Sequence, residues 1–83
     1  MVIRKPSKTK SGATVYGWHS NFEILRIDGD VASIVSLEIS PNDLHVGDIV
    51  FYGITGKLYK VMNILSIGSA SIKATISTYV EEI

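Results

Sequence analysis

The clearest pattern in the chain is a pair of apolar runs between residues 44 and 65, separated by a short glycine-bounded segment. The first run, Ile49 to Tyr52, follows Gly47-Asp48 and is rich in the β-branched and aromatic residues that favour strands. Gly53 to Gly56 supplies a polar turn, after which Leu58 to Leu65 can fold back antiparallel. The pattern predicts a β-hairpin at the centre of the fold.

Two strand-like runs precede this hairpin. Ala13 to His19 predicts a first strand, with Gly17 as a bulge or a place of close backbone approach. Phe22 to Ile27 predicts a second strand, and Asp28-Gly29-Asp30 after it is a strong signal for a tight hairpin turn. We therefore expect the chain to return antiparallel from residue 31.

The returning strand alternates with a period of two, and this alternation predicts which face is buried. The residues expected to face the core are Val31, Ser33, Val35, Leu37 and Ile39. The opposite, more polar face carries Ala32, Ser36 and Glu38, with Ile34 as an exception.

Ser40-Pro41-Asn42-Asp43 has the residues of a helix start, with Ser40 as the cap and Pro41 at the first helical position. Only one turn fits before Gly47. The last strand alternates again after residue 70, and its apolar face comprises Ile72, Ala74, Ile76, Thr78 and Val80.

These elements predict an all-β fold of five or six antiparallel strands, a small barrel or sandwich, with a single helical turn near residues 41–45; we take the barrel as the prediction. Residues 13–83 are predicted to form one barrel domain. Residues 1–12 lack apolar periodicity and are predicted to form a basic, flexible arm, in which Val2 and Ile3 are candidates for pairing at a sheet edge.

Charge divides the chain at this boundary, although the net charge is zero. Four cations and no acid lie within the first twelve residues, and they are Arg4, Lys5, Lys8 and Lys10. The remaining residues hold four cations and eight acids, a net charge of −4. An arm of this kind is suited to an acidic protein surface or to phosphate.

No secretory signal is expected, because Met1-Val2-Ile3 is followed by basic and polar residues, and no apolar run approaches the ~20 residues that span a bilayer. The chain has no cysteine, which excludes disulfides and thiolate metal sites and favours an intracellular setting.

The residues that carry catalysis are sparse, and no catalytic residue, metal site or cofactor is predicted. His19 and His45 lack a short ligand spacing to each other, although Asp43 and Asp48 lie near His45 in sequence. Gly56-Lys57 is followed by Leu58, so it is not a phosphate-binding P-loop. The G-x-x-G at residues 53–56 lies between strands, whereas the nucleic-acid clamp of KH domains lies between helices.

Two family resemblances extend this interpretation. The first resemblance is to the SH3-like first domain of elongation factor P, and it is carried by Ile39 to Leu44, Gly47 and Tyr59-Lys60-Val61. This resemblance implies an SH3-like or related barrel. The lysine-bearing loop of that family has no counterpart, since residues 66–70 read Ser-Ile-Gly-Ser-Ala.

The second resemblance spans residues 12–79. The chain resembles the head–tail joining (head-completion) proteins of lambda-type tailed phages in four segments, which are followed by an alternating strand. The segments are Gly12 to Trp18, Ile34 to Ile39, Leu44 to Gly53 and Leu58 to Val61. This resemblance implies a non-enzymatic structural or assembly protein of a tailed phage or prophage, a head–tail connector or tail-type subunit. It also implies a homo-oligomer, located in the virion or the host cytoplasm.

The expected partners are copies of the chain or other phage structural proteins. The alternatives are a nucleic-acid-binding SH3-like or OB-like module, which would combine aromatic and basic residues on one face, and a small inhibitor of a host protein. The residues predicted to contact a partner are Arg4, Lys5, Lys8, Lys10, Tyr16, Trp18, Tyr52, Lys57 and Tyr59.

Overall fold

The structure is a computed structural model, and it describes residues 5–18 and 20–80. These residues form one seven-stranded sheet and one short 3-10 helix, Pro41–Asp43. The strands are β1 (Ser7–Lys8), β2 (Thr14–Tyr16), β3 (Phe22–Asp28), β4 (Val31–Ser36), β5 (Ile49–Tyr52), β6 (Lys57–Ile67) and β7 (Ser71–Tyr79). The all-β prediction and the single helical turn are confirmed.

The strand order across the sheet is β1-β2-β5-β6-β7-β4-β3, and β2 and β5 run parallel while every other adjacent pair is antiparallel. The prediction of five or six antiparallel strands was therefore wrong in the number of strands and in the direction of one pair. β1 and β2 have two and three residues, which are too few to show the alternation of apolar and polar residues that identifies a strand. No local turn sets the pairing of Val15 with Ile49, because the two residues are far apart in sequence.

The central hairpin has the predicted arrangement. β5 and β6 pair antiparallel across the turn at residues 53–56, with Tyr52 opposite Lys57. Gly47 and Gly56 have φ values of +97° and +71°, which residues other than glycine rarely adopt. Both positions thus need glycine for backbone reasons.

The segment before β5 is fixed by two caps. The Ser40 hydroxyl accepts a hydrogen bond from the Asn42 N–H at 3.2 Å, as the helix-start pattern predicts. The Asp48 carboxylate accepts from the His45 N–H at 2.9 Å. These bonds set the direction in which the chain enters β5.

The core lies between the inward faces of β3, β4, β5, β6 and β7. Its buried apolar residues are Tyr16, Phe22, Ile24, Ala32, Ile34, Leu44, Ile49, Val50, Val61, Ile72, Ala74 and Ile76. Tyr16 meets Phe22 edge to face, with ring centroids 4.8 Å apart. This contact ties the short strand β2 to β3.

The predicted buried face of β4 was wrong. Ala32 and Ile34 are fully buried, whereas Val31, Ser33 and Val35 are only partly covered. The reason is the neighbouring strand, since Ala32 pairs with Ala74 and Ile34 with Ile72, and paired residues share a face. β4 carries apolar residues on both faces, so its own alternation did not identify the inner one.

β7 confirms its predicted face only in part. Ile72, Ala74 and Ile76 are buried, but Thr78 and Val80 are exposed. The ladder with β4 ends at Thr75, so the last residues of β7 have β6 alone as a neighbour.

The predicted first strand is shorter than expected, because β2 ends at Tyr16. Trp18 lies in a turn closed by a hydrogen bond from the Ser20 N–H to the Gly17 carbonyl at 3.0 Å. β1 lies within the segment predicted to be an arm, and it pairs with β2. His19, Val2 and Ile3 lie outside the described residues.

Within the described part of the chain, β1 and β3 form the two edges of the sheet. The sheet curls so that β3 lies against β5, although no backbone ladder joins these two strands. The incomplete closure leaves a cleft at one end of the β3–β5 contact.

Candidate functional site

An open cleft of about 460 Å³ lies where β3 and β5 fail to pair. Three segments build it: the turn after β2, the first half of β3, and the end of β5 with its following turn. Its lining residues are Trp18, Glu23, Ile24, Leu25, Phe51, Gly53 and Ile54. We refer to it as the Trp18 cleft.

The Trp18 cleft is largely open to solvent, and both polar and apolar atoms form its walls. The exposed fraction of the side chain is 54% for Trp18, 58% for Leu25 and 79% for Ile54. The indole of Trp18 lies beside Gly53, and a Cβ at position 53 would be in ordinary van der Waals contact with the ring. Exposed apolar and aromatic side chains, combined with a few polar groups, are typical of a binding site.

Glu23 is the acidic group of the cleft, and it is half-buried. Its carboxylate has no ion pair and no hydrogen bond with any residue that the structure describes. The nearest cation in sequence, Arg26, is bound to Asp28 at 2.6 Å. The carboxylate of Glu23 therefore gives the cleft a negative charge that no described cation neutralises by contact.

The irregularities of the sheet share one property: each β-bulge turns an apolar side chain outward. The register of β3 shifts between Ile24 and Arg26, which leaves Leu25 without a partner in the ladder. The register of β6 shifts twice in the same way, and the residues left out are Met62 and Leu65. Both are 51% exposed. Bulges commonly re-aim a side chain in this way, and they are found at functional surfaces.

A second exposed apolar surface lies on β6. It consists of the two bulge residues Met62 and Leu65, which we call the β6 patch, and Ile67 is a further exposed apolar side chain on the same strand. The β6 patch begins five positions after Lys57, the first residue of the strand, which adjoins the turn that contains Ile54. Since a strand advances about 3.3 Å per residue, the patch lies roughly 16 Å or more along β6 from that end.

The predicted basic residues lie on the surface where the structure describes them. Lys5, Lys10 and Lys57 are exposed. Lys8 is exposed as well, and its ammonium donates to the Thr14 hydroxyl at 2.9 Å, which links β1 to β2. Arg4 lies outside the described residues. None of these lysines lines the Trp18 cleft.

The four predicted aromatic residues lie in different environments, and Trp18 alone among them lines the cleft. Tyr16 is a core residue. Burial raises the pKa of its phenol above the usual value of 10.0, and the carboxylates of Asp48 and then Asp43 raise it further. Tyr52 and Tyr59 are partly buried against the core and meet edge to face, with ring centroids 6.3 Å apart.

Comparison with known proteins gives no assignment. No family model, curated protein or solved structure matches the chain. The resemblances to head–tail joining proteins and to elongation factor P thus stay predictions.

Among residues 5–18 and 20–80, no three His, Cys, Asp or Glu side chains group as metal ligands. His45 is exposed, and His19 is outside the described residues. None of the helices in the described part of the chain has the length and apolar character needed to cross a membrane.

Sequence reasoning identified one of the seven residues that line the cleft, Trp18, and missed the other six: Glu23, Ile24, Leu25, Phe51, Gly53 and Ile54. Glu23 and Leu25 belong to a predicted strand, but the bulge that exposes Leu25 has no local signal. Ile54 offered one usable sign, since an isoleucine in a polar hairpin turn is unusual and has no core-facing position.

Proposed function

We propose that the protein is a non-enzymatic structural subunit that acts through protein–protein contacts in the assembly of a tailed-phage or prophage particle, at the head–tail joint or in the tail. The observation that carries the proposal is the exposure of an apolar side chain at every bulge of the described sheet: Leu25, Met62 and Leu65. The association with a phage particle is taken from the sequence resemblance.

The two apolar surfaces suit a subunit that contacts two neighbours. The Trp18 cleft and the β6 patch are different in shape and lie on different parts of the sheet. A contact between two unlike surfaces repeats from copy to copy and closes into a ring when the rotation permits. Copies of this chain, or a neighbouring structural protein, are the proposed partners.

The size of the domain favours assembly as well. An 83-residue chain without disulfides has a small core and correspondingly limited stability. Covering apolar surface stabilises a complex by about 25 cal/mol per Å² removed from water, before the cost of association. Contact with partners would therefore stabilise the folded domain as well as build the particle.

The basic arm would add an electrostatic contribution. Lys5, Lys8 and Lys10 are exposed, whereas residues 13–83 carry a net negative charge. We propose that the cations of residues 1–10 contact an acidic partner surface, such as the body of a neighbouring copy. The attraction would weaken as salt screens the charges.

Protein contact is favoured over nucleic-acid binding by the position of Glu23. A single-strand binder stacks bases on exposed aromatic rings next to basic groups. Here the exposed indole of Trp18 shares its cleft with a carboxylate, which repels phosphate, and the described lysines lie elsewhere.

Sedimentation velocity of the purified full-length chain tests the proposal. We expect self-association, or binding to a virion component, up to a protein concentration of about 1 mM, where even weak contacts are populated. Met62→Thr combined with Leu65→Thr should reduce it, and deletion of residues 1–10 should weaken it at low salt. Val80→Thr, at a valine that is 79% exposed and lies outside both surfaces, is the control.

Three outcomes would contradict the proposal. The first is a strictly monomeric protein without affinity for virion components. The second is binding to DNA or RNA that falls steeply with salt, which favours the nucleic-acid alternative. The third is one-to-one capture of a host protein without any self-association, which favours the inhibitor alternative.

A further inference from the structure

The Trp18 cleft combines three chemical features in one place. Its walls include two exposed apolar side chains, those of Leu25 and Ile54. One aromatic ring, the indole of Trp18, is more than half exposed. One carboxylate, that of Glu23, is half-buried and makes no ion pair with a described residue. A group that matches all three must be apolar along its length and cationic at its end.

Side chains of this type bury an aliphatic stem against apolar surface while the charged end reaches a polar group. A cation over an indole face gains attraction from the ring, and Trp is the aromatic residue that attracts cations best. A carboxylate within reach completes the site with a charge-assisted hydrogen bond.

Arginine fits this combination better than lysine does. Its guanidinium is planar, so it can stack on an indole and at the same time donate two parallel hydrogen bonds to one carboxylate. It is also more weakly hydrated than an ammonium, and so loses less when it leaves water. The volume of the cleft, about 460 Å³, leaves room for one such side chain and a flanking apolar residue.

We propose that the Trp18 cleft binds an arginine side chain presented by an extended segment of a partner protein. Glu23 would hold the guanidinium, Trp18 would stack on it, and Leu25 and Ile54 would contact the residues beside it. The inference rests on the proposed function in treating the cleft as a protein contact surface. It goes further by assigning the chemistry of the partner.

The edge position of β3 suits an extended partner segment. β3 ends the strand order, and its side away from β4 faces β5 without a backbone ladder, so its main-chain groups are unpaired where the cleft separates the two strands. An extended peptide can add main-chain hydrogen bonds to such an edge while its side chains occupy adjacent cavities. The bulge at Leu25 limits these bonds to a short stretch, so the arginine is expected to supply most of the specificity.

The test is a titration with short peptides, followed by tryptophan fluorescence. Trp18 is the only tryptophan of the chain, so its emission reports on the cleft without a label. The probe is acetyl-Gly-Leu-Arg-Leu-Gly-amide, compared with peptides that carry lysine or glutamine in place of arginine. We expect a saturating change in emission and an affinity for the arginine peptide about tenfold above that for the glutamine peptide.

Glu23→Gln keeps the shape of the side chain and removes its charge. We expect this variant to lose most of the preference for arginine over glutamine, whereas Glu38→Gln, at an exposed glutamate after β4, should retain it. Far-UV circular dichroism checks that both variants fold. If Glu23→Gln does not fold, added salt serves instead, since it should weaken binding of the arginine peptide to the wild-type chain.

Equal affinity for the arginine and glutamine peptides would overturn the proposal, and so would a preference that survives Glu23→Gln. Lysine binding as tight as arginine would overturn the assignment of arginine. The peptides bind without any assembly, so a failure here is separate from a failure of self-association.

Discussion

The indole ring of Trp18 lies against the backbone of Gly53: a Cβ atom at position 53 would be 3.7 Å from both the Cδ1 and the Nε1 of the ring. That distance is an ordinary van der Waals contact. Gly53 also lacks a positive φ, so alanine is compatible with its backbone. We expect Gly53→Ala to leave the free energy of unfolding unchanged or raised by up to about 1 kcal/mol. Urea unfolding followed by far-UV circular dichroism measures it.

Gly56, three residues further along the same turn, is the matched contrast. Its φ is +71°, and no atom lies within 4 Å of the position of an added Cβ, so backbone strain is the sole cost of a side chain. Gly56→Ala should lower the free energy of unfolding by about 1–2 kcal/mol. Equal effects at the two positions would contradict the difference in backbone conformation.

The buried face of β4 is tested by one substitution made at two sites. Ile34→Val removes a methylene from a fully buried side chain and should lower the free energy of unfolding by about 1 kcal/mol. Ile54→Val removes the same group from a side chain that is 79% exposed, and should change it by less than about 0.5 kcal/mol. Chemical denaturation of both variants under one condition gives the comparison. A similar loss at both sites would show that Ile34 does not face the core.

Local patterns in the sequence were sufficient for the hairpins. The β5–β6 turn lies between Gly53 and Gly56, and the β3–β4 turn contains Gly29, which has a φ of +63°. Turn residues determine which strands meet and in which direction, because they act over a few positions. The cap at Ser40 was predictable for the same reason, since the hydroxyl bonds an amide two residues away.

Features that depend on distant segments were not predictable in this way. No local turn connects Val15 with Ile49, so no local pattern predicts their parallel pairing. The inner face of β4 is decided by its pairing with Ile72 and Ala74, and not by its own alternation. The Trp18 cleft needs residues 18, 23–25 and 51–54 to approach one another around an open edge of the sheet. No local pattern in the sequence predicts that these three segments meet.

The phenol of Tyr16 should make stability depend on alkaline pH. Its pKa is raised in the folded chain by burial and by Asp48 and Asp43, so the folded state holds the phenolic proton more tightly than the unfolded state does. The stabilisation is complete below the unfolded pKa, which is about 10, and is lost as pH rises through the folded pKa.

Urea midpoints at pH 8.5 and pH 11 measure this dependence. Lysines also titrate in this interval, so the Tyr16→Phe variant provides the reference. The wild-type chain should lose more stability than Tyr16→Phe does over the same interval. An equal loss of stability between pH 8.5 and pH 11 in the two chains would contradict the raised pKa of Tyr16.

The charge of the Trp18 cleft should be visible in the quenching of its tryptophan. Trp18 is exposed and shares the cleft with the carboxylate of Glu23, which attracts cations and repels anions. Caesium should therefore quench the emission more efficiently, relative to iodide, in the wild-type chain than in Glu23→Gln. Glu38→Gln should leave the ratio of the two quenching constants at the wild-type value, and unfolding in urea should abolish the difference between the chains. A ratio that does not change in Glu23→Gln would mean that this carboxylate does not set the local potential, and the site would then lack the charge on which recognition of a cation depends.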